Sequence, residues 1–189
     1  MDAITLLKSD HQKVQKLFRT FEQAGERAHA TKAKTAAAIV RELTRHAAIE
    51  EQIFYPAVRH DVPEVAGEVL ESLEEHHVVK WLCSEIDKMT PQDERFTAKV
   101  TVLIENVRHH VKEEEGELFP AVRRALGRKQ LAELGDSMDK AKLLAPTRPR
   151  PRSADTPPAN LFSGVTAGMV DKARDRGAKA IADARHKVR

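Results

Sequence analysis

One pattern of residues occurs twice in this chain and limits what the chain can fold into. Each copy has a histidine, glutamates four and five residues later, and Pro-Ala-Val-Arg beginning ten residues after the histidine. The two copies are residues 46–59 and 110–123. In an α-helix, residues four apart lie on one face, so His46 with Glu50, and His110 with Glu114, each direct two ligand atoms toward one place. A neutral imidazole and a carboxylate are ligands that suit iron-type metals.

Two further histidines follow an acidic residue in similar surroundings. Asp10 precedes His11, and Glu75 precedes His76. Apolar residues stand three, six and seven positions after each of these histidines, which is the spacing of one helical face. Along the chain the order is therefore a lone histidine, a His-x-x-x-Glu pair, a lone histidine and a second His-x-x-x-Glu pair.

The composition favours helices over sheets. The chain has 189 residues, of which 41% are hydrophobic and only 4% aromatic, with eight glycines. The scarcity of aromatic residues and glycine argues against a β sandwich or barrel, whereas long stretches of Ala, Leu, Glu, Lys and Arg with a 3.6-residue period indicate α-helices. A chain of this length can bury one good core, so we expect one all-α domain with an appendage.

Apolar periodicity and turn signals predict five helices. They are expected at residues 3–27, 33–59, 64–88, 90–126 and 128–144. Thr90 and Pro91 provide an N-cap hydroxyl and a first-turn proline for the fourth helix, and Pro56 should kink the second helix or begin to end it. Histidines at similar distances from the bends lie at similar heights, so all four fall in one layer. The predicted fold is an up-down-up-down four-helix bundle with a short fifth helix.

Six residues are the predicted metal ligands of the bundle interior: His11, His46, Glu50, His76, His110 and Glu114. Burying histidines and carboxylates among apolar residues is costly unless a metal or one another satisfies them. Six ligands exceed the four usual for one zinc ion, and carboxylates inside a bundle readily bridge two ions. Two metal ions are therefore expected.

Two residues near the predicted ligands, His77 and Tyr55, each have two alternative roles. His77 is the main rival of His76, because it lies on a separate helical stripe. The apolar residues of that stripe are Leu70, Leu73 and Trp81. Tyr55 lies little more than one turn past Glu50, where its phenol either approaches the site or packs in the core.

The chain changes character after residue 144. Residues 145–160 form a proline- and arginine-rich linker, which should be extended or disordered. Residues 161–189 form a basic tail with a helical pattern that glycines weaken. Residues 146–189 carry a net charge of +6, whereas residues 1–145 carry a net charge of −3. The tail is expected either to fold back on the bundle or to meet an anionic partner such as nucleic acid or a membrane surface.

Cysteine usage and hydropathy indicate the compartment. A single cysteine excludes an intrachain disulfide and fits a reducing environment. The first residues have neither a basic region nor a long apolar region, and no later stretch approaches a membrane span. We therefore expect a soluble, cytoplasmic protein.

Across residues 1 to about 144 the sequence resembles the hemerythrin-like HHE cation-binding family. The resemblance is carried by the lone histidine after an acid in the first and third helices, by the two His-x-x-x-Glu units, and by the Phe-Tyr-Pro and Leu-Phe-Pro strings that follow them. It implies an oxo- or hydroxo-bridged di-iron centre in a four-helix bundle. The four histidines would be terminal ligands, and Glu50 and Glu114 would bridge the two ions.

The third helix departs from the oxygen-carrying hemerythrins, which supply two histidines at spacing four from that helix. His76 has Ser72 and Lys80 at these offsets. This departure disfavours reversible oxygen carriage. It leaves one coordination position to be filled by water or by a glutamate of the third helix, namely Glu71, Glu74 or Glu75.

Three functions fit these features. The first is a non-haem di-iron protein that binds or senses iron, oxygen, nitric oxide or peroxide. The second is a di-iron enzyme that reduces oxygen or decomposes hydrogen peroxide. The third is an interaction protein whose function lies in the tail, with metal as a structural staple. The sequence has no nucleophile triad, phosphate-binding glycine loop or zinc-type cysteine pair, so other chemistries have no support.

Overall fold

The computed structural model of the chain describes residues 1–152 and 166–175. Every regular element within these residues is helical, which confirms the predicted all-α fold. The α-helices of residues 1–152 are α1 (Ala3–Gln23), α2 (His29–Ile49), α3 (Tyr55–Asp61), α4 (Ala66–Ile86), α5 (Phe96–Glu113), α6 (Phe119–Ala125) and α7 (Arg128–Lys142). Two π-helical turns, Glu50–Phe54 and Glu114–Leu118, join α2 to α3 and α5 to α6, and a 3₁₀ turn, Pro63–Val65, precedes α4.

Four helical rods form the predicted bundle. They are α1, the composite of α2 and α3, α4, and the composite of α5 and α6. The first rod ends at Gln23, four residues earlier than predicted. α7 is the predicted short fifth helix, and it packs against α1 and α2. Across residues 1–152 and 166–175, no helix combines the length and the apolar character needed to cross a bilayer.

The bundle core is divided into two apolar clusters. One lies around the start of α1, α3, α6 and α7 and contains Phe54. The other lies around the later turns of α1 and α4 and the turns of α2 and α5 that precede their layer histidines, and it contains Phe18. Each histidine of the predicted layer lies between the two clusters along its rod, as His11 does between Leu7 and Val14. A polar layer therefore separates two hydrophobic cores.

The fourth rod begins later than predicted. Thr90 and Pro91 were expected to start it, but α5 begins at Phe96. The carboxylate of Asp93 accepts hydrogen bonds from the Thr90 backbone N–H at 2.6 Å and from the Thr90 hydroxyl at 3.1 Å. Thr90 is therefore a donor here, whereas an N-cap hydroxyl accepts from the helix. Residues 91–95 consequently form a turn ahead of the helix.

The chain widens into a π turn ahead of each motif proline. Pro56 has no N–H to donate, and in an α-helix its ring would clash with the carbonyl four residues back. The N–H of Tyr55 instead bonds the carbonyl of Glu50, five residues back, and Phe119 bonds Glu114 in the same way. The helix continues past Pro56 through α3, so the wider turn accommodates the proline. Such turns inside α-helices are frequent at functional sites.

The linker and tail are described in part. Residues 143–152 contain no helix or strand, and residues 166–175 are helical. Asp171 in that helix is fully buried and accepts hydrogen bonds from the backbone N–H groups of Thr147 at 3.0 Å and Arg148 at 3.1 Å. The described part of the tail is therefore bound to the linker. The rest of the predicted linker and tail lies outside the described residues.

The close packing of α7 against the amino terminus gives a first prediction. A Cβ atom added at Gly135 would lie 2.2 Å from the Met1 carbonyl oxygen and 2.8 Å from the Ala3 nitrogen. Gly135→Ala should lower the free energy of unfolding by about 1–3 kcal/mol, because backbone must move to admit the methyl group. Gly67→Ala, where nothing lies within 4 Å of the added atom, is the control and should not destabilise. Denaturant unfolding measures both, and equal stabilities would contradict the close packing.

Candidate metal centre

The six predicted ligands meet in one layer in the middle of the bundle. None of them is more than 6% exposed. Each of the four rods supplies one histidine, and each π turn begins at one of the two glutamates. The six are His11, His46, Glu50, His76, His110 and Glu114. The structure thus brings together the six residues that the helical period and the positions of the bends predicted to lie in one layer.

The layer has two halves, and each half is built on a pair of histidines from neighbouring rods. The Nε2 atoms of His11 and His46 lie 3.2 Å apart. The Nε2 atoms of His76 and His110 also lie 3.2 Å apart. In each half, two imidazole nitrogens therefore face the same point of the interior.

The two glutamates each reach both halves. Glu50 Oε2 lies 3.1 Å from Nε2 of His46 in one half and 3.4 Å from Nε2 of His76 in the other. Glu114 Oε2 lies 3.4 Å from one histidine of each half. The donor atoms form two neighbouring groups of the kind that can hold a metal ion, and Glu50 belongs to both groups.

The second glutamate of each Glu-Glu pair supports a histidine from behind. Glu115 Oε1 lies 2.8 Å from Nδ1 of His11, and Glu51 Oε1 lies 3.1 Å from Nδ1 of His76. A carboxylate that accepts from Nδ1–H fixes the tautomer in which Nε2 is free to bind a metal. Neither glutamate is among the ligands predicted from the sequence. The doubled glutamate in both copies of the motif was the signal that could have identified them.

The acid before each lone histidine faces a different histidine of the layer. Glu75 Oε2 lies 2.7 Å from Nδ1 of His110. Asp10 Oδ2 lies 3.6 Å from Nδ1 of His46, which is longer than a hydrogen bond. Glu75 was one of three glutamates expected to complete the coordination, but its carboxylate lies behind His110. The other two are exposed on α4.

Lysines neutralise three of these four outer carboxylates. The pairs are Lys80 with Glu51 at 2.9 Å, Lys8 with Glu115 at 3.6 Å, and Lys142 with Asp10. Lys142 is the last residue of α7, so this helix contributes directly to the outer shell of the site. Within the described residues Glu75 pairs with no lysine, and the exposed His109 lies 3.8 Å from it.

Tyr55 and Phe119 occupy equivalent positions in the two motif copies but act differently. The Tyr55 hydroxyl donates a hydrogen bond to Glu114 Oε1 at 2.8 Å and lies 3.4 Å from Nε2 of His76. Phe119 stacks on the ring of His11, with 5.8 Å between centroids and 8° between planes. Of the two alternatives for Tyr55, the structure therefore places its phenol at the site. The phenol gives the two halves different chemical surroundings.

Burial sets the charge of the layer. It lowers the pKa of His46 to about 4 and also lowers the pKa of His76, so these imidazoles are neutral, as metal ligands must be. Burial, and then the charge of Glu114, raises the pKa of Glu50 well above its usual value. Burial alone would raise the pKa of Glu114 as well, but the charge of His110 lowers it. Burial and the neighbouring charges thus shift the pKa values of the two carboxyls in opposite directions, toward the neutral form of Glu50 and the ionised form of Glu114.

His77 does not take part in the layer. It is exposed, whereas His76 is 3% exposed. Two residues of its predicted apolar stripe, Leu70 and Trp81, are 49% and 47% exposed. The third, Leu73, is buried in an apolar cluster, but His77 itself faces solvent, so the alternative that made His77 the inward histidine is wrong for this fold.

The donor atoms of the layer fit a metal. Both carboxylate oxygens of Glu50 and Oε2 of Glu114 are buried and have no hydrogen-bond partner among the described residues. Leaving such atoms without a partner costs free energy unless a cation satisfies them. Carboxylate and imidazole donors together are the combination that non-haem iron sites use.

Comparisons with known proteins agree with this geometry. The family model of the hemerythrin HHE cation binding domain matches residues 2–122, which end within α6. The chain is 28% identical over 167 residues to an uncharacterised hemerythrin-like protein of Schizosaccharomyces pombe, and the match covers 88% of this chain and 81% of that protein. It is 30% identical over 142 residues to a DNA nickase of Nostoc sp., covering 75% of this chain but 39% of the nickase.

A solved structure shows the same fold. It is the crystal structure of a hemerythrin HHE cation binding domain-containing protein from Mycobacterium kansasii, with a TM-score of 0.63 and 22% sequence identity. The match covers 75% of this chain and 85% of that chain. Because the family model spans well over half of the sequence, this chain belongs to the hemerythrin HHE cation-binding domain family.

Proposed function

We propose that this protein binds two iron ions, with the four histidines as terminal ligands and Glu50 and Glu114 as bridges. One observation carries the proposal: the Oε2 atom of each glutamate lies within 3.4 Å of a histidine of both halves and has no hydrogen-bond partner among the described residues. Carboxylates in the core of a helix bundle are the groups that bridge two ions. The terminal ligands would be His11, His46, His76 and His110.

The donor set favours iron over zinc. Structural zinc sites use four ligands and are rich in thiolates, whereas this layer offers six nitrogen and oxygen donors. The single cysteine, Cys83, is not available as a ligand, because it packs in the apolar cluster that contains Phe18. Burial raises the pKa of its thiol to about 12.

The proposed ligand of the iron site is a small molecule such as oxygen, nitric oxide or peroxide. An apolar cavity of about 20 Å³ adjoins the layer, and all four histidines contribute to its walls. The rest of the wall is mainly apolar, with Val14, Val79 and Val107. A cavity of this volume has room for about one water-sized molecule, so it excludes larger substrates. Iron held at such a site supplies one-electron redox chemistry and direct binding of these molecules.

A second candidate function, reduction of oxygen or decomposition of peroxide, is supported by Tyr55. Burial, and then the charge of Glu114, raises the pKa of Tyr55 well above its usual value, so the phenol keeps its proton. Its hydroxyl already donates to Glu114 and can supply a proton at the site. Ser72 and Lys80 stand four residues before and after His76, where a second histidine of α4 would lie. Ser72 donates to the backbone carbonyl of Glu68 and Lys80 donates to Glu51, so α4 supplies only His76 to the layer. This supports turnover over reversible oxygen carriage.

We place the protein in the cytoplasm, because its single cysteine fits a reducing compartment. The third candidate function, an interaction through the basic tail, involves residues that are mostly outside the described ones. The hydrogen bonds to Asp171 support a tail that folds back on its own chain. An anionic partner for the remaining basic residues stays a prediction.

Metal analysis tests the proposal directly. Protein produced with sufficient iron should contain about two iron atoms per chain, because the layer offers two groups of donors. Glu50→Ala should lose most of both atoms, since a bridge serves both ions. His77→Ala, an exposed neighbour of a ligand, should keep them. A single zinc ion per chain, or full iron content in Glu50→Ala, would contradict the di-iron assignment.

Replacing the buried carboxyl should affect stability and metal binding in opposite directions. A carboxyl whose pKa is raised by burial costs folding free energy at every pH above its ordinary value of 4.5. Glu50→Gln should therefore raise the free energy of unfolding of metal-free protein at pH 7 by about 1–2 kcal/mol. The gain should vanish as the pH falls below 4.5.

The same Glu50→Gln variant should bind iron poorly. Glu117→Gln, at an exposed position of the second π turn, is the control and should change neither property. Chemical unfolding at several pH values, with iron titration of the same preparations, measures both. A Glu50→Gln protein that is less stable than the parent would show that the carboxylate is satisfied without metal.

Tyr55→Phe separates the binding function from the enzymatic one. This change makes the first motif copy match the second, which has Phe119. If the protein decomposes peroxide, the variant should keep its iron but lose at least about tenfold in turnover, because the site loses its proton donor. Oxygen release from hydrogen peroxide measures this. Equal turnover in both proteins would remove the support that Tyr55 gives to an enzyme.

A further inference from the structure

A groove between α1 and α5 extends from the surface to the edge of the metal centre. It has a volume of about 750 Å³, and His11 and Glu115 lie in its wall at the edge of the centre. Three residues, His11, Gln15 and Val111, line both this groove and the apolar cavity beside the histidines, and of these Gln15 and Val111 are not proposed metal ligands. These two side chains are therefore the partition between the groove and the inner cavity.

The groove is strongly cationic. Four of its lining residues are positively charged and exposed, namely Lys16, Arg19, Arg108 and Lys112. Arg108 pairs with Glu22 at 2.7 Å, while the other three form no ion pair within the described residues. The one carboxylate in the wall, Glu115, is already bound by His11 and lies 3.6 Å from Lys8. The charge that faces the groove is thus predominantly positive and unneutralised.

The opposite side of the bundle is closed at the equivalent place. Gln15 lies four residues after the lone histidine of α1, and Lys80 lies four residues after that of α4. The Lys80 side chain is 12% exposed and lies 2.9 Å from Glu51, so it covers the outer carboxylate on that side. Among residues 1–152 and 166–175, Gln15 has a single side-chain hydrogen bond, accepted from Arg108 at 3.4 Å, which is at the limit of such bonds. The two ends of the site therefore differ in access.

We infer that this groove is the entrance through which small inorganic anions reach the metal centre, and that Gln15 and Val111 form its inner gate. The inference rests on the proposed iron site. A cleft lined by charge of one sign concentrates ions of the opposite sign and raises their association rate by about 10–1000-fold. Salt screens this effect over about 10 Å at 0.1 M. Neutral ligands use the same gate without the electrostatic gain.

Charge reversal in the groove tests the entrance. The variant Lys16→Glu with Lys112→Glu is compared with Lys34→Glu with Arg41→Glu, which makes the same charge change at exposed positions of α2 outside the groove. Stopped-flow mixing of the iron-loaded proteins with azide, at low and high salt, gives the association rate from the optical change. The groove variant should bind azide at least about tenfold more slowly at low salt, and salt should no longer slow binding. The α2 variant should stay close to the parent.

Nitric oxide, which is neutral, distinguishes steering from damage to the site. Its association rate should be the same in the parent and in both charge variants, and all three should contain the same iron. Equal azide rates in the two charge variants would overturn the inference while leaving the iron site intact. An absence of any azide-dependent optical change in all proteins would instead contradict the proposed iron site, and the entrance with it.

Shortening one gate residue tests the inner partition. Val111→Ala should raise the association rate of nitric oxide several-fold, because the opening between the groove and the cavity becomes wider. Val100→Ala is the control, since Val100 is buried on the same helix but lines neither space. An unchanged rate in Val111→Ala, with iron content retained, would show that ligands enter elsewhere.

Discussion

The fold depends on a layer of four imidazoles and two carboxylates buried between two apolar clusters. Removing such groups from water is expensive, and within the protein the cost is reduced in two steps. Outer carboxylates accept hydrogen bonds from the Nδ1 atoms of three histidines, His11, His76 and His110, and lysines neutralise three of the four outer carboxylates. Within the part of the chain that the structure describes, the carboxylate oxygens of Glu50 have no hydrogen-bond partner. The helix bundle therefore holds buried donor atoms at its centre that a bound cation would satisfy.

The two halves of the site are built alike but differ in their surroundings. Each half has two histidines 3.2 Å apart and shares both glutamates with the other half. One half has the Tyr55 phenol and the outer side chain of Lys80. The other half has a stacked phenylalanine, the α7 residue Lys142 and the groove between α1 and α5. Two metal ions of equal ligand type would thus differ in access and in proton supply.

Much of this architecture could be predicted from the sequence, because helical period and bend position fix the height and direction of a side chain. The sequence favoured His76 but did not exclude His77, since apolar residues accompany both and packing decides which side of the helix is buried. The start of α5 was missed because Thr90 and Asp93 can both cap a turn, and the direction of the hydrogen bond depends on the folded chain. Pro56 was correctly identified as a disturbance. The π turn that accommodates it, and that accompanies the burial of both Glu50 and Glu51, has no local signature beyond the proline itself.

The central claim is that Glu50 and Glu114 lie between two metal ions rather than beside one. Anomalous X-ray diffraction at the iron edge, from crystals of iron-loaded protein, tests it most directly. The account predicts two separate iron peaks in the layer, one next to His11 and His46 and the other next to His76 and His110, with both glutamates between them. A single peak, or two peaks with Glu50 turned away from both, would contradict it.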